Sequence, residues 1–308
     1  MSQEDNSNTN LFPEKARKIG MLTDVGQVRT VDEDSILAAD LSFGVNSKSS
    51  DFRLLVVADG MGGHAKGEEA SKIALNAISR SVIPELFNDA PFTELLEKGI
   101  QNANQDILDY TAEHPESSGM GTTSVCAIVE GNQVHLANVG DSRAYVISDD
   151  EIRRVTKDHS YVQSLVDQGE ITEAESREHP QKNVITKAVG IDTSVEADTM
   201  RLTLDSDESL LLCCDGVIAH LPDDDIHKII RDSPDPQTAC QEIVNMANER
   251  GGSDNISLII LSAEDSNSKE PEPEITKTRT FECPACAARN IEQNPDGSEF
   301  CHDCGWKN

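Results

Sequence analysis

The feature that most constrains this chain is a set of aspartates placed where apolar strands end. Arg53-Leu54-Leu55-Val56-Val57-Ala58 has the character of a strand buried on both faces, and it leads directly into Asp59-Gly60-Met61-Gly62-Gly63-His64. Such a strand delivers Asp59 to a sheet edge, where glycines let backbone carbonyls approach a ligand closely. The pattern recurs. Leu210 to Cys214 ends at Asp215-Gly216, Ser253-Asp254-Asn255 opens the run Ile256 to Leu261, and Val139-Gly140-Asp141 closes another. Glu33 and Asp34 add two acids just before the short run Ile36 to Ala39, where a solvated acidic turn is the simplest reading. One acid at a strand end is an ordinary turn former or helix cap. Several together repel one another too strongly to stay unneutralised, and hard divalent cations with oxygen ligands are the usual solution.

Six motifs in order carry a family resemblance. Arg29 with Glu33-Asp34, Asp59 to His64, Gly119-Met120-Gly121-Thr122-Thr123, Gly140-Asp141-Ser142-Arg143, Cys214-Asp215-Gly216 and Asp254-Asn255 resemble the metal-dependent protein phosphatases. More narrowly, they resemble the bacterial type 2C serine/threonine phosphatases, over roughly residues 17 to 263. The resemblance implies that Asp59 bridges two Mn²⁺ or Mg²⁺ ions. It implies that the Gly60 carbonyl binds one ion, and that Asp215 and Asp254 bind the other. Glu33 and Asp34 would hold metal-bound waters. Asp141, with Asp215, would hold a weaker third ion. Arg29 would grip the substrate phosphate, for which a guanidinium fork suits two oxygens better than a lysine does.

The implied reaction is hydrolysis of phosphoserine and phosphothreonine in proteins by a water bridging the two ions, with no covalent phosphoenzyme. Two other readings are a non-catalytic phosphatase-like scaffold and a hydrolase of small phosphate esters. One departure concerns the general acid. Eukaryotic relatives carry a histidine two residues after the bridging aspartate, where Met61 stands here, as in bacterial members. His64 could act instead, or could simply be a loop histidine bonded to a backbone carbonyl.

A second chemistry sits at the end of the chain. Cys283-x2-Cys286 and Cys301-x2-Cys304 are separated by fourteen residues, close to the spacing of a four-cysteine zinc site, with Asn294-Pro295-Asp296-Gly297 as a turn between. The segment resembles a zinc ribbon, and so small a core could scarcely fold without such a staple. Redox pairs and disulfides are the competing readings. Cys283 to Arg289 also matches the bare cysteine-x5-arginine spacing of tyrosine phosphatases, but Glu282 stands in place of their histidine and no glycine shapes a phosphate cradle. Cys126, Cys213, Cys214 and Cys240 lie in apolar patterns and are expected to be buried thiols.

The remaining organisation follows from charge and periodicity. With 26 basic against 56 acidic side chains, the net charge of −30 disfavours nucleic acid and anionic membrane surfaces and concentrates cations. No stretch reaches the roughly 20 apolar residues of a membrane span. A cytoplasmic monomer acting on phosphoproteins made by a serine/threonine kinase is expected. Residues 1–15 read as a disordered tail, 16–263 as the phosphatase domain, 264–280 as an acidic linker and 281–308 as the ribbon. Within the domain, 157–187 has weak core character and matches the family's flap.

Helix stripes are predicted over Gly67–Leu86, Thr93–Ala112, Asp223–Arg231 and Pro236–Arg250. Strands are predicted over Thr123–Val129, Val134–Val139, Ala144–Ile147, Val195–Leu204 and Leu210–Cys214. Pattern alone says α+β. The resemblance implies a four-layer α-β-β-α sandwich of two antiparallel sheets flanked by helices, followed by the small C-terminal ribbon.

Overall fold

The computed structural model describes residues 17–45, 48–62, 66–88, 90–263, 291–293, 299–301, 304 and 306–307. In chain order the first elements are β1 (Ile19–Asp24), β2 (Asp34–Val45), β3 (Lys48–Met61), α1 (Gly67–Val82) and α2 (Phe92–Glu113). There follow β4 (Gly121–Thr122), β5 (Ser124–Glu130), β6 (Gln133–Val139), β7 (Arg143–Ile147), β8 (Ile152–Arg154), α3 (Tyr161–Asp167) and α4 (Glu173–Glu178). The last are β9 (Asp198–Thr203), β10 (Ser209–Cys213), α5 (Asp215–Ile218), α6 (Asp223–Asp232), α7 (Pro236–Glu249), β11 (Ile256–Leu261), β12 (Ile291–Gln293) and β13 (Glu299–Cys301). The chain divides into two compact units, Met1–Asp265 and Ser266–Asn308.

The larger unit contains two antiparallel sheets. One has the order β1-β11-β10-β7-β8, and the other β2-β3-β5-β6-β9 with β4 paired to the end of β3. Side chains alternate between faces along a strand, so each interior strand feeds two cores. Leu54 and Val56 pack with α1 and α2, through Ala74, Ile78, Leu96 and Ile100. Leu55 and Val57 face the other sheet, meeting Leu210, Leu212, Ile259 and Leu261. Leu211, Leu258 and Ile260 point away from that interlayer onto Ile226, Ile243 and Ala247 of α6 and α7. Three apolar layers therefore hold four layers of secondary structure. Fully burying one Leu or Ile side chain contributes about 1.5–3 kcal/mol, so this stack is the main source of stability.

The expected strands and long helices are present, with local differences. The first helix stops at Val82 and continues as a 3-10 turn over Ile83–Glu85, because Pro84 has no amide hydrogen with which to continue the α-helical ladder. The strand through Val57 does not end at Asp59 but runs on to Met61, where β4 prolongs the pairing. It is interior, flanked by β2 and β5, as its apolar character implies. The short run Ile36 to Ala39 lies within a twelve-residue strand. Residues 157–187 contain α3 and α4, started by an Ser160 cap and by a Thr172/Glu175 capping box.

In the smaller unit, β12 and β13 pair antiparallel with Ile291 opposite Cys301. Cys301 is buried and Cys304 exposed. Cys283, Cys286 and the turn at 294–297 lie outside the described residues, as does His64. The four thiols expected to be buried, Cys126, Cys213, Cys214 and Cys240, are buried. Among the described residues, no helix is long and apolar enough to cross a membrane.

Candidate active site

The same alternation that builds the interlayer also places the acids. Asp59 follows Leu55 and Val57 on the inner face of β3, and Asp34 lies directly opposite it on β2, in line with Ile36 and Ala38. From the other sheet, Cys214 continues the inner face set by Leu210 and Leu212. Carboxylate oxygens of Asp34 and Asp59 and the Cys214 sulfur all lie within 4.8 Å of one another. Asp215 begins α5 immediately after Cys214, and Asp254 and Asn255 precede β11 beside it. The acids thus gather at one end of the sandwich, where the apolar filling stops.

Backbone and amide contacts hold this end in shape. The Asp59 carbonyl accepts bonds from the Thr123 amide (2.8 Å) and the Thr122 hydroxyl (2.8 Å), while the Asp59 amide donates to Thr123 Oγ1 (3.1 Å). Thr123 in turn meets Ser142 at 2.7 Å, tying β5 to the Gly140–Arg143 turn that carries Asp141. Asn255 is the central clamp of the loop before β2. Its side chain donates to the carbonyls of Val25 and Val31 (3.0 Å each) and accepts from the Glu33 amide (2.9 Å). Gly60 donates to the Glu33 carbonyl (3.1 Å), and a Cβ there would sit 2.2 Å from the Gly67 carbonyl oxygen, so no side chain fits between β3 and the start of α1.

Crowding of carboxylates in a dehydrated corner sets their protonation. Burial, then the charges of Asp34 and Asp215, push Asp59 well above the ordinary carboxylate range. Asp34, which keeps only 9% of its exposure, is pushed up to about 7, mainly by burial. Asp141 is pushed up to about 8 by burial and then by Asp215. Asp215 is raised by burial and by Asp254, with a bond to Asp59 opposing. Glu33 is raised by burial, against the pull of Arg29. The Arg29 guanidinium is exposed and reaches across the rim to Asp254 (2.8 Å) and Glu33 (3.5 Å).

Both oxygens of Asp34 and one of Asp141 are buried without a hydrogen bond of normal geometry, although Ser257 and Cys214 lie near enough to Asp34 to oppose part of the rise in its pKa. Orphaned buried oxygens of this kind are rare, and each calls for an unshown partner. An all-oxygen set of converging carboxylates, with backbone carbonyls close by, fits hard six-coordinate cations such as Mg²⁺ or Mn²⁺. Cys214 fits this chemistry less well, and its thiol is held by the Ser257 amide (3.1 Å) and the Asn255 carbonyl (3.4 Å).

A cleft of about 270 Å³ runs from Asp141 and Asp215 between residues 158–183 and residues 218–222. Its inner wall is the pair Arg143–Asp158, with bonds of 2.9 and 2.7 Å between two guanidinium nitrogens and the two carboxylate oxygens. The structure therefore brings Arg29, Glu33, Asp34, Asp59, Gly60, Asp141, Asp215 and Asp254 to one end of the two sheets. Sequence reasoning did not assign the holding contacts made by Thr122, Thr123, Asn255 and Asp158.

Comparison with known proteins agrees with this geometry. The family described as Protein phosphatase 2C matches residues 37–257. The chain belongs to the protein phosphatase 2C family. It is 34% identical over 241 residues to a serine/threonine phosphatase, stp, of Listeria innocua, covering 78% of this chain and 93% of that one. Against the serine/threonine protein phosphatase PstP of Mycobacterium tuberculosis it is 33% identical over 254 residues, covering 82% of this chain and 46% of PstP. The crystal structure of that phosphatase superposes with a TM-score of 0.71 at 31% identity, over 80% of this chain and 98% of the other. A structure of the PstP catalytic domain in complex with two manganese ions gives 0.67 at 30% identity, over 80% and 97%. The protein is a protein serine/threonine phosphatase of the bacterial 2C type.

Proposed function

We propose that the converging carboxylates hold a pair of Mn²⁺ or Mg²⁺ ions, with which the protein hydrolyses phosphoserine and phosphothreonine in phosphoproteins. The observation that carries this reading is the buried Asp34 carboxylate facing Asp59 across two strands, an arrangement that bound cations and their waters would satisfy. Asp59 and the Gly60 carbonyl would hold one ion, and Asp59, Asp215 and Asp254 the other. Glu33 and Asp34 would orient bound water, and Asp141 with Asp215 would hold a third ion. When bound, the ions supply a water acidic enough to ionise near neutral pH and positive charge against the phosphoryl oxygens.

The chain's own residues do the rest. Asp34 accepts a proton-bearing oxygen at the floor of the site and sets its direction. Arg29, which here bonds Asp254 and Glu33 at the exposed rim, would turn its guanidinium fork to two oxygens of the substrate phosphate. The apolar layer behind Val57 and Leu212 keeps bulk water out. His64 remains the candidate proton donor to the leaving oxygen. In the smaller unit, Cys283, Cys286, Cys301 and Cys304 hold one structural zinc, and the resulting ribbon docks the phosphatase on its substrates.

The test is phosphate release from a phosphothreonine peptide with and without Mn²⁺, for the wild type and Asp59→Asn. Turnover should require the cation and vanish in a folded Asp59→Asn protein. Undiminished turnover in either arm sinks the reading.

A further inference from the structure

The Gly140–Asp141 turn is held by a histidine that no motif assigned. His159 lies at the root of the segment running to 187, and it meets Gly140 twice. Its amide donates to the Gly140 carbonyl (2.9 Å), and its Nδ1 accepts from the Gly140 amide (3.0 Å). Gly140 has φ of +105°, and a Cβ there would lie 2.6 Å from the Thr123 side chain. The turn is therefore tight on one side against Thr123 and pinned on the other by the imidazole. Asp141, the next residue, is 6% exposed and keeps one oxygen without a partner.

The other end of the ring is also accounted for. Nε2 lies 3.2 Å from Asp198 Oδ2 and 3.3 Å from Lys187 Nζ, and that ammonium lies 3.2 Å from Asp198 Oδ1, so Lys187 and Asp198 hold each other beside the ring. Since Nδ1 accepts from an amide, the ring proton must sit on Nε2, where Asp198 receives it. Burial lowers the pKa of His159, in keeping with a neutral ring. In many metal sites a carboxylate fixes the tautomer of a histidine whose opposite nitrogen binds the metal. Here it acts one residue removed, through the backbone of Gly140.

We infer that His159 is a positioning residue for Asp141, and that Asp198–His159–Gly140 sets the affinity of the third, weakest cation site. The inference rests on the proposed role of Asp141 as ligand of that ion. It also gives the segment 157–187 a route to the metal corner, since Thr186 donates to the His159 carbonyl (2.8 Å) and Lys187 holds Asp198. Movement of that segment would be felt at Asp141 before it reached Asp59.

The experiment is calorimetric titration of the full-length, chelator-stripped protein with Mn²⁺. His159→Leu should weaken the weakest site about 10–100-fold, the usual effect of removing an outer partner of a metal ligand, and leave the two tighter sites unchanged. His159→Asn, whose Oδ1 can still accept the Gly140 amide, should recover most of the loss. Asp198→Ala, a change at an exposed carboxylate, should reproduce a smaller part of it, and it serves should His159→Leu fail to fold. Equal losses for Leu and Asn, or a fall of all three sites together, would assign His159 a merely structural role and overturn the inference. Asp141→Ala separates the two levels. If it abolishes the weak site while His159→Leu and Asp198→Ala keep it, the inference fails alone. If Asp141→Ala also keeps it, or the wild type shows only two sites, the reading of Asp141 fails and the inference with it.

Discussion

Replacing Asp34 by asparagine should stabilise the metal-free protein while inactivating the enzyme. In the folded chain Asp34 is pushed up to about 7 by burial, against roughly 4 for an ordinary aspartate. A carboxyl raised in this way favours folding only while protonated. Its contribution is complete below about pH 4 and is lost as pH rises from there through 7, where the folded protein must hold an unpaired buried charge. Linkage puts the full loss at about 4 kcal/mol by pH 8. Asparagine carries no charge at any pH, but its amide brings two N–H donors into a corner where Asp34 makes no hydrogen bond of normal geometry, at a cost of about 1–3 kcal/mol. The expected gain is thus about 1–3 kcal/mol at pH 8 and none near pH 4.5. For a domain of this size that is an upward shift in Tm of about 3–10 °C. The assay is thermal or urea unfolding of chelated wild type and Asp34→Asn across that pH range, repeated with saturating Mn²⁺. Bound cations should stabilise the wild type far more than the mutant. A stability difference independent of pH, or a mutant weaker than wild type at pH 8 without metal, would refute the claim that Asp34 is an uncompensated buried acid.

Arg29→Ala should raise KM for a phosphopeptide by the roughly 1.5–3 kcal/mol of a hydrogen bond to a charged group, about 10–150-fold, and Mn²⁺ binding should tighten slightly as a competing cation leaves Asp254; wild-type kinetics would return Arg29 to the ordinary surface. Thr123→Val removes the acceptor of the Asp59 amide and the Ser142 contact in a fully buried place, so unfolding free energy should drop by about 1–3 kcal/mol and kcat should fall with it; an unchanged kcat would mean the Asp59 backbone is held well enough by its carbonyl contacts. Truncation before Ser266 should leave hydrolysis of p-nitrophenyl phosphate intact, remove one zinc per chain by elemental analysis and weaken activity on a native phosphoprotein; a zinc-free full-length protein would dispose of the ribbon.

What could be read in the sequence was what is encoded locally. The run ending at Ala58 announces a doubly buried strand because Leu54 to Ala58 are all apolar, but for the same reason it does not say which face meets the other sheet. That choice, which puts Leu55, Val57 and Asp59 inward, emerges only from packing. The Asp34–Asp59 pairing depends on the register of β2 on β3, set by a long strand whose unbroken apolar run Ile36 to Ala39 blurs its alternation. The segment 157–187 carries readable start signals, Ser160 and Thr172 with Glu175, but the charged residues after Val166 leave no apolar stripe to mark the second helix.

The residues that hold the site are the least legible, and the reason is distance along the chain. Asn255 clamps Glu33 across 222 residues, Thr123 meets the Asp59 amide across 64, and His159 reaches Gly140 across 19. Thr123 and Asn255 fall within recognisable motifs and His159 in none, but none of the three has a legible role, since each is an ordinary polar residue until the fold supplies its partner. The acids are conspicuous for the opposite reason, because each contradicts the apolar pattern it terminates. A chain otherwise consistent from propensity to packing is expected to break its own rules where it does chemistry. Here the break is an end of the interlayer at which leucine and valine give way to aspartate, and the charge that makes this end costly without metal is the charge that would bind it.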